Sequence, residues 1–208
     1  MKPFNSLTYK SICRYQQRLQ IYEGNRTSIS GIRATIFGAT GFLGPYVGSA
    51  LGYIGSDLIF PHCHHYVYDD HVKELKLCAG SGQSYLLKHM NFDDLKLIAR
   101  TMANSNVVVN LLGPRKNIKK LQDFEYVNIV LPRRIAQACK KNPNIIRLIH
   151  FSAVGADPKS PSLDLRTKAL GEMEVLEAFP NATIIRPTTV YGPNDYFMKL
   201  WLDQKNFF

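Results

Sequence analysis

A chain of 208 residues with 45% hydrophobic side chains has room for one α/β domain with a sizeable core, but not for that domain and a full second one. It contains no run of 18 apolar residues, so no transmembrane helix is indicated. Its four cysteines form no C-x-x-C pair and read as reduced thiols rather than a disulfide framework. The net charge of +10 favours anionic partners: dinucleotide phosphates, acidic subunits or anionic lipid. No RNA- or DNA-reading motif accompanies that charge, and nucleic acid is not expected as a partner.

Residues 1–30 stand apart. Lys2, Lys10, Arg14 and Arg18 precede the first carboxylate, Glu23, and Ser, Thr, Tyr and Gln fill much of the remainder. This composition reads as a mitochondrial presequence or its remnant; the alternative is a basic arm lying across the domain or a partner. Residues 31–208 then read as one dinucleotide-binding domain.

From Gly31 onward the pattern is regular. Arg33 to Phe37 is a short apolar run that stops at glycine, a buried strand. A glycine-spaced turn follows, then a helix through Tyr46, Val47, Ala50 and Leu51, with Pro45 tolerated in its first turn. Ser56 to Phe60 is the second strand and Tyr85 to Met90 the third. Asp93 and Asp94 cap a helix that carries Leu95, Ile98, Ala99 and Met102 on one face. Asn106 to Leu112 is the clearest strand, and its continuous apolar character suits burial on both faces. A helix from Phe124 to Lys140 follows, bent or restarted at Pro132. Then come a fifth strand, Ile145 to Phe151, a helix from Arg166 to Phe179, and a sixth strand, Thr183 to Arg186. Strand and helix alternate throughout, which predicts a Rossmann-type doubly wound parallel sheet of order 3-2-1-4-5-6.

The chemistry concentrates in Gly38-Ala39-Thr40-Gly41-Phe42-Leu43-Gly44. This loop follows a strand and opens a helix, as pyrophosphate binding requires: glycine lets backbone N–H groups approach the phosphates, and the helix N-terminus adds partial positive charge. The alternative is a tight βα turn with no ligand. At the end of the second strand an acid would accept from the ribose 2′-OH of NAD, and a basic residue would favour the 2′-phosphate of NADP. Pro61-His62-Cys63-His64-His65 contains no acid, which disfavours NAD, and its histidines can meet a phosphate when protonated. A metal is not expected there, because neighbours on an extended segment point to opposite faces.

Several segments, in order, resemble the atypical branch of the extended short-chain dehydrogenase family, and within it the nucleotide-binding accessory subunits of mitochondrial respiratory complex I. They are Ala34 to Gly44, Ser105 to Gly113, Arg166 to Glu172, Glu177 to Pro180 and Ile184 to Pro187. The resemblance covers residues 30–200. It implies tightly bound NADPH, other complex I subunits as partners, a matrix-side position on the inner mitochondrial membrane reached through the complex, and no turnover by the subunit itself. By position, Gly38, Ala39, Thr40, Gly41, Phe42 and Leu43 would hold the pyrophosphate. His62 and His64 would stand near the 2′-phosphate, where Cys63 replaces the arginine the family tends to have. Met90 and Asn91 would approach the adenine, Leu112 and Gly113 would flank the ribose, and Ser152, Ala153, Lys168 and Pro187 would lie near the nicotinamide.

Short-chain dehydrogenases transfer protons through a Tyr-x-x-x-Lys pair on one helix. Four residues before Lys168 stands Asp164, which has no phenolic proton to give, so no catalytic residue is assigned. Lys168 itself contacts ribose or is a solvated helix position. Phe197, Trp201, Phe207 and Phe208 suit burial against a partner, or the cut edge of a core. The substrate domain of the extended family lies largely beyond the sixth strand, so the chain is expected to be a fragment or a reduced subunit. The remaining alternatives are an NADP(H)-dependent atypical reductase or epimerase using another acid, and a sensor of NADP redox poise.

Overall fold

The computed structural model describes residues 29–63, 70–80, 82–114, 120–192 and 195. Residues 1–28, His64 and the aromatic residues from Phe197 to Phe208 lie outside the described residues.

Six strands form one all-parallel sheet in the order β3-β2-β1-β4-β5-β6, the expected order. They are β1 (Arg33–Phe37), β2 (Asp57–Pro61), β3 (Ser84–Leu87), β4 (Val107–Asn110), β5 (Arg147–Phe151) and β6 (Thr183–Ile185). Ala34 pairs with Leu58 on one side and Val107 on the other, and Asn110 pairs with His150. Helices α1 (Gly44–Tyr53) and α2 (Asp70–Lys76) cover one face. There Ala34, Ile36, Leu58, Phe60 and Val109 pack with Leu75 and Cys78. The other face meets α3 (Leu95–Thr101), α5 (Leu131–Lys141) and α6 (Leu163–Ala178), with Phe37, Val108, Leu148, Ile98, Ile135 and Val175 forming the core. The period-2 alternation of strand side chains assigns each residue to one of these two cores.

Strand ends differ from expectation for local reasons. The ladder of β4 stops at Asn110 because its side-chain oxygen turns to accept the Leu112 N–H at 3.1 Å, an alternative to the ladder that a purely apolar residue does not offer. β3 stops at Leu87, and His89 takes a left-handed φ of 59°. Helix α2 had no counterpart in the sequence reading: seven residues give only Val72 and Leu75 as a buried i, i+3 pair, too little for a period.

The long helix before β5 starts earlier than Phe124. It runs as α4 (Leu121–Glu125), a π turn (Tyr126–Val130) and α5. Its irregularity falls just before Pro132 rather than at it. Proline has no N–H for the carbonyl four residues back, that of Asn128, and the turn widens there, with the Leu131 N–H reaching the Tyr126 carbonyl.

The start of α3 is capped by Asp94, whose carboxylate accepts the backbone N–H groups of Lys96 at 2.8 Å and Leu97 at 3.2 Å. Asp94→Ala removes both acceptors, and a loss of about 1 kcal/mol in urea unfolding is expected; an unchanged midpoint would contradict the cap's role.

Candidate nucleotide-binding site

The carboxyl ends of β1, β2, β4, β5 and β6 bring the sequence-predicted residues to one rim of the sheet, where open α/β sheets bind ligands. At the end of β1 the chain makes two consecutive turns: the Gly41 N–H donates to the Gly38 carbonyl at 3.0 Å and the Gly44 N–H to the Gly41 carbonyl at 3.1 Å. Gly38 has φ +76°, and a Cβ there would stand 2.8 Å from the Leu111 carbonyl carbon and 2.9 Å from the Leu112 nitrogen. A Cβ on Gly44 would overlap the Ala39 carbonyl oxygen. These two glycines let the loop press against the β4 end on one side and let α1 start directly above it on the other. α1 starts without a side-chain cap and without an acid in its first turn. Its positive end therefore faces the loop without a carboxylate from its own turn, the arrangement that accepts a phosphate anion. The Phe42 and Tyr46 rings meet edge-on, 5.5 Å apart.

At the end of β2, the backbone N–H of buried His62 donates to the Leu87 carbonyl at 2.9 Å and its backbone carbonyl accepts the Met90 N–H at 3.1 Å. The Cys63 thiol donates to the Met90 carbonyl at 3.1 Å. The β2 and β3 ends are thereby tied, and His62, Cys63 and Met90 are brought together. Neighbouring Asn91 uses its side-chain oxygen to accept the Asp93 N–H at 2.9 Å. No carboxylate stands among Pro61, His62 and Cys63.

After β4, Leu112 is held by Asn110, and Gly113 faces open space among the described residues. After β5, the Ser152 N–H donates to the Ile185 carbonyl and the Val154 N–H to the Pro187 carbonyl, both at 2.8 Å, which places Ser152, Ala153 and Pro187 side by side. The Ser152 hydroxyl is buried and has no hydrogen-bond partner among the described residues. A buried hydroxyl with no protein partner fits a ligand group that is to arrive there.

Lys168 projects from α6 one turn beyond Asp164, with Nζ 3.9 Å from its carboxylate. Asp164 also accepts from the Asn128 amide at 3.0 Å, and that amide reaches the Thr167 hydroxyl at 2.9 Å. Asp164 is thus engaged as a hydrogen-bond acceptor and ion-pair partner. Farther along α6, buried Glu172 receives a two-pronged guanidinium contact from Arg186, with Nε 2.9 and 3.1 Å from its two oxygens. On β5, His150 is paired through Nδ1 with the Asn110 amide at 3.0 Å. Burial pushes the His150 imidazole down to about 4; Glu172 pulls it upward and Lys168 adds to the depression. His150 is therefore neutral at physiological pH.

Sequence reading did not single out Asn110, Asn128, His150, Glu172 or Arg186. A signal existed for two of them: Asn110 ends the otherwise apolar strand β4, and His150 is the polar residue next to the end of β5. A separate hollow of about 410 Å³ lies along the sheet face beside α3, lined by Arg33, Asp57, Ile59, Tyr85 and Arg100. It shares none of the glycine-loop residues, and the phosphate-loop rim is the better candidate on chemical grounds.

Residues 34–201 match the NAD dependent epimerase/dehydratase family. The chain is 44% identical over 177 residues to the mouse NADH dehydrogenase [ubiquinone] 1 alpha subcomplex subunit 9, mitochondrial, covering 85% of this chain and 45% of that protein. It is 38% identical to the Arabidopsis thaliana protein of the same name, over 95% of this chain and 50% of the relative. It is 34% identical to the Neurospora crassa NADH-ubiquinone oxidoreductase 40 kDa subunit, mitochondrial, over 88% of this chain and 47% of the relative. The chain thus spans about half the length of these curated relatives. Among solved structures, UDP-glucuronic acid 4-epimerase from Bacillus cereus in complex with NAD superposes with a TM-score of 0.66 at 20% identity, over 83% of this chain and 64% of the epimerase. The likeness to that structure concerns the fold.

Two predictions follow from the geometry. Gly44→Ala forces the loop and α1 apart and is expected to cost about 3 kcal/mol in denaturant unfolding, whereas Gly113→Ala, facing open space, should change stability by less than about 0.5 kcal/mol; equal effects would overturn the close-approach argument. For His150, the folded chain refuses a proton that the unfolded chain accepts below pH 6.5. Stability should therefore fall as pH drops from 6.5 towards 4, by about 3 kcal/mol at most, and His150→Asn should remove that part of the pH dependence. Parallel pH–stability curves for the two proteins would contradict it.

Proposed function

This chain belongs to the NAD dependent epimerase/dehydratase family, and on that premise we propose that it is a non-catalytic, NADPH-binding accessory subunit of mitochondrial respiratory complex I. The observation that carries the reading is Asp164. It occupies the place where the family's dehydrogenases have their proton-donating tyrosine, and it is engaged by Lys168 and Asn128. The glycine loop supports dinucleotide binding, and the names of the mouse, Arabidopsis and Neurospora relatives support the assignment to the mitochondrial NADH:ubiquinone oxidoreductase; a matrix-side position on the inner membrane is part of the proposal. No helix among the described residues is long and apolar enough to cross a membrane, in keeping with attachment through neighbouring subunits.

In this reading residues 31–208 are the dinucleotide-binding domain and residues 1–30 a targeting or docking arm. Gly38, Ala39, Thr40, Gly41, Phe42 and Leu43 hold the pyrophosphate by backbone N–H groups and the α1 N-terminus. Met90 and Asn91 border the adenine, Leu112 and Gly113 the ribose, and Ser152, Ala153, Lys168 and Pro187 the nicotinamide end. NADPH is favoured over NADH because among the described residues the β2 end, Pro61 to Cys63, has no carboxylate for a 2′-hydroxyl; His64, the other histidine read for the 2′-phosphate, lies outside them. When bound, the dinucleotide brings a hydride-carrying nicotinamide, but the position four residues before Lys168 carries Asp164 and no tyrosine. Its contribution is mass action: a ligand held by the folded form alone, at a concentration 100 times Kd, stabilises that form by about 2.7 kcal/mol.

The test is native electrophoresis of solubilised mitochondrial membranes, with the chain located by mass spectrometry and complex I by its NADH dehydrogenase stain. Co-migration, with NADP(H) rather than NAD(H) recovered from the band's denatured protein, is the expected result. Migration as a small free species would reject the subunit assignment, and steady NADPH turnover with a carbonyl substrate, abolished by Lys168→Ala, would favour an enzyme instead.

A further inference from the structure

We propose that Asn110 and His150 are positioning residues for the phosphate loop: a side-chain pair buried between β4 and β5 sets the seat against which Gly38 rests, and so sets dinucleotide affinity from behind the site. The inference rests on the dinucleotide-binding reading above.

The chain of contacts is continuous. Asn110 is 1% exposed and His150 3% exposed, side by side in the β4–β5 register. A backbone N–H can only donate, so the Asn110 atom facing the Leu112 N–H is Oδ1. The other end of the amide, Nδ2, then donates to His150 Nδ1, which must accept. The imidazole proton is thereby confined to Nε2. One backbone N–H thus determines an amide orientation, and the amide determines a tautomer two strands from the phosphate loop.

The same amide controls the peptide that the phosphate loop leans on. The Leu111 N–H donates to the Phe37 carbonyl at 2.9 Å, and the Leu112 N–H is taken by Asn110. The Leu111–Leu112 peptide is therefore held through its own N–H by Asn110, and the peptide before it by Phe37. It is the Leu111–Leu112 peptide that lies 2.8 to 2.9 Å from where a Cβ on Gly38 would stand. A side chain at 150 that gives Nδ2 no acceptor leaves a buried donor unsatisfied, and the amide can regain a partner only by turning away from Leu112. The Leu111–Leu112 peptide then loses its side-chain anchor, and with it the register of the Gly38 to Gly44 turns. Backbone N–H groups bind a pyrophosphate well only at hydrogen-bond distance, so a shift of a few tenths of an ångström there is felt as affinity.

Asparagine has its side-chain oxygen near the place of Nδ1 of histidine and can accept the same hydrogen bond; leucine cannot. The experiment titrates the purified full chain with NADPH by calorimetry, as wild type, His150→Leu and His150→Asn, at a temperature where thermal melts show each variant folded. A Kd raised about tenfold in His150→Leu and restored to within about threefold of wild type by His150→Asn is expected. Nitrogen-15 NMR of the histidine ring in the wild-type protein adds a readout that needs no variant, and the Nε2–H neutral tautomer is expected at neutral pH. Unchanged affinity in His150→Leu, failure of His150→Asn to rescue, or an Nδ1–H tautomer would overturn the proposal. Wild-type protein that binds neither NADPH nor NADH would instead overturn the dinucleotide reading on which it rests, and the tautomer measurement separates the two failures.

Discussion

The approach of the phosphate loop to the end of β4 governs the architecture of this rim. Gly38 lies closer to the Leu111–Leu112 peptide than any residue with a side chain allows, and Gly44 repeats that intimacy with Ala39. Because β1 is flanked by β2 and β4 in a parallel ladder, the loop after β1 rises at the middle of the sheet's carboxyl edge. Everything arranged around it, from Met90 at one side to Ser152 at the other, comes from strands that end at the same level. The site is thus a consequence of parallel pairing: all six strands deliver their loops to one edge, and the helix N-termini turn their positive ends towards it.

Buried polar groups gather on β4, on β5 and just after it, in the π turn and on α6. Asn110, His150, Asn128, Thr167, Glu172 and Ser152 are all buried. Such a set is costly unless each member finds a partner, and here nearly all do: Asn110 with His150 and Leu112, Asn128 with Asp164 and Thr167, Glu172 with Arg186. Of these six, the Ser152 hydroxyl has no hydrogen-bond partner among the described residues, and it stands on the rim where the nicotinamide end is proposed. A second asymmetry is chemical. Where a phenol beside Lys168 would complete a proton path, Asp164 instead joins Lys168 and Asn128 in a static network. Its carboxylate lies 3.9 Å from the lysine's Nζ and accepts from the Asn128 amide. By contrast the Cys139 thiol, pushed up to about 12 by burial, is core material and carries no reactivity.

Much of this was legible in one dimension. The six strands, their order and the glycine loop follow from apolar runs alternating with helical periods, because a buried parallel strand and an amphipathic helix each leave a local signature. The absence of tyrosine before Lys168 is a matter of counting. Other features left no such trace. Helix α2 is too short to show a period, and the π turn depends on how a helix accommodates Pro132 against its neighbours. Asn110 and His150 read as interruptions of apolar strands, and only pairing in register makes them partners.

The sequence by itself determined the fold class, the place of the phosphate loop and the lack of a catalytic phenol, since each rests on residue type and spacing along the chain. Tertiary structure alone decided which polar groups meet, why Gly38 and Gly44 have no room for a side chain, and which tautomer His150 must carry. Those are properties of atoms distant in sequence and held within hydrogen-bond reach by the ladder, and no local pattern encodes a distance between two strands.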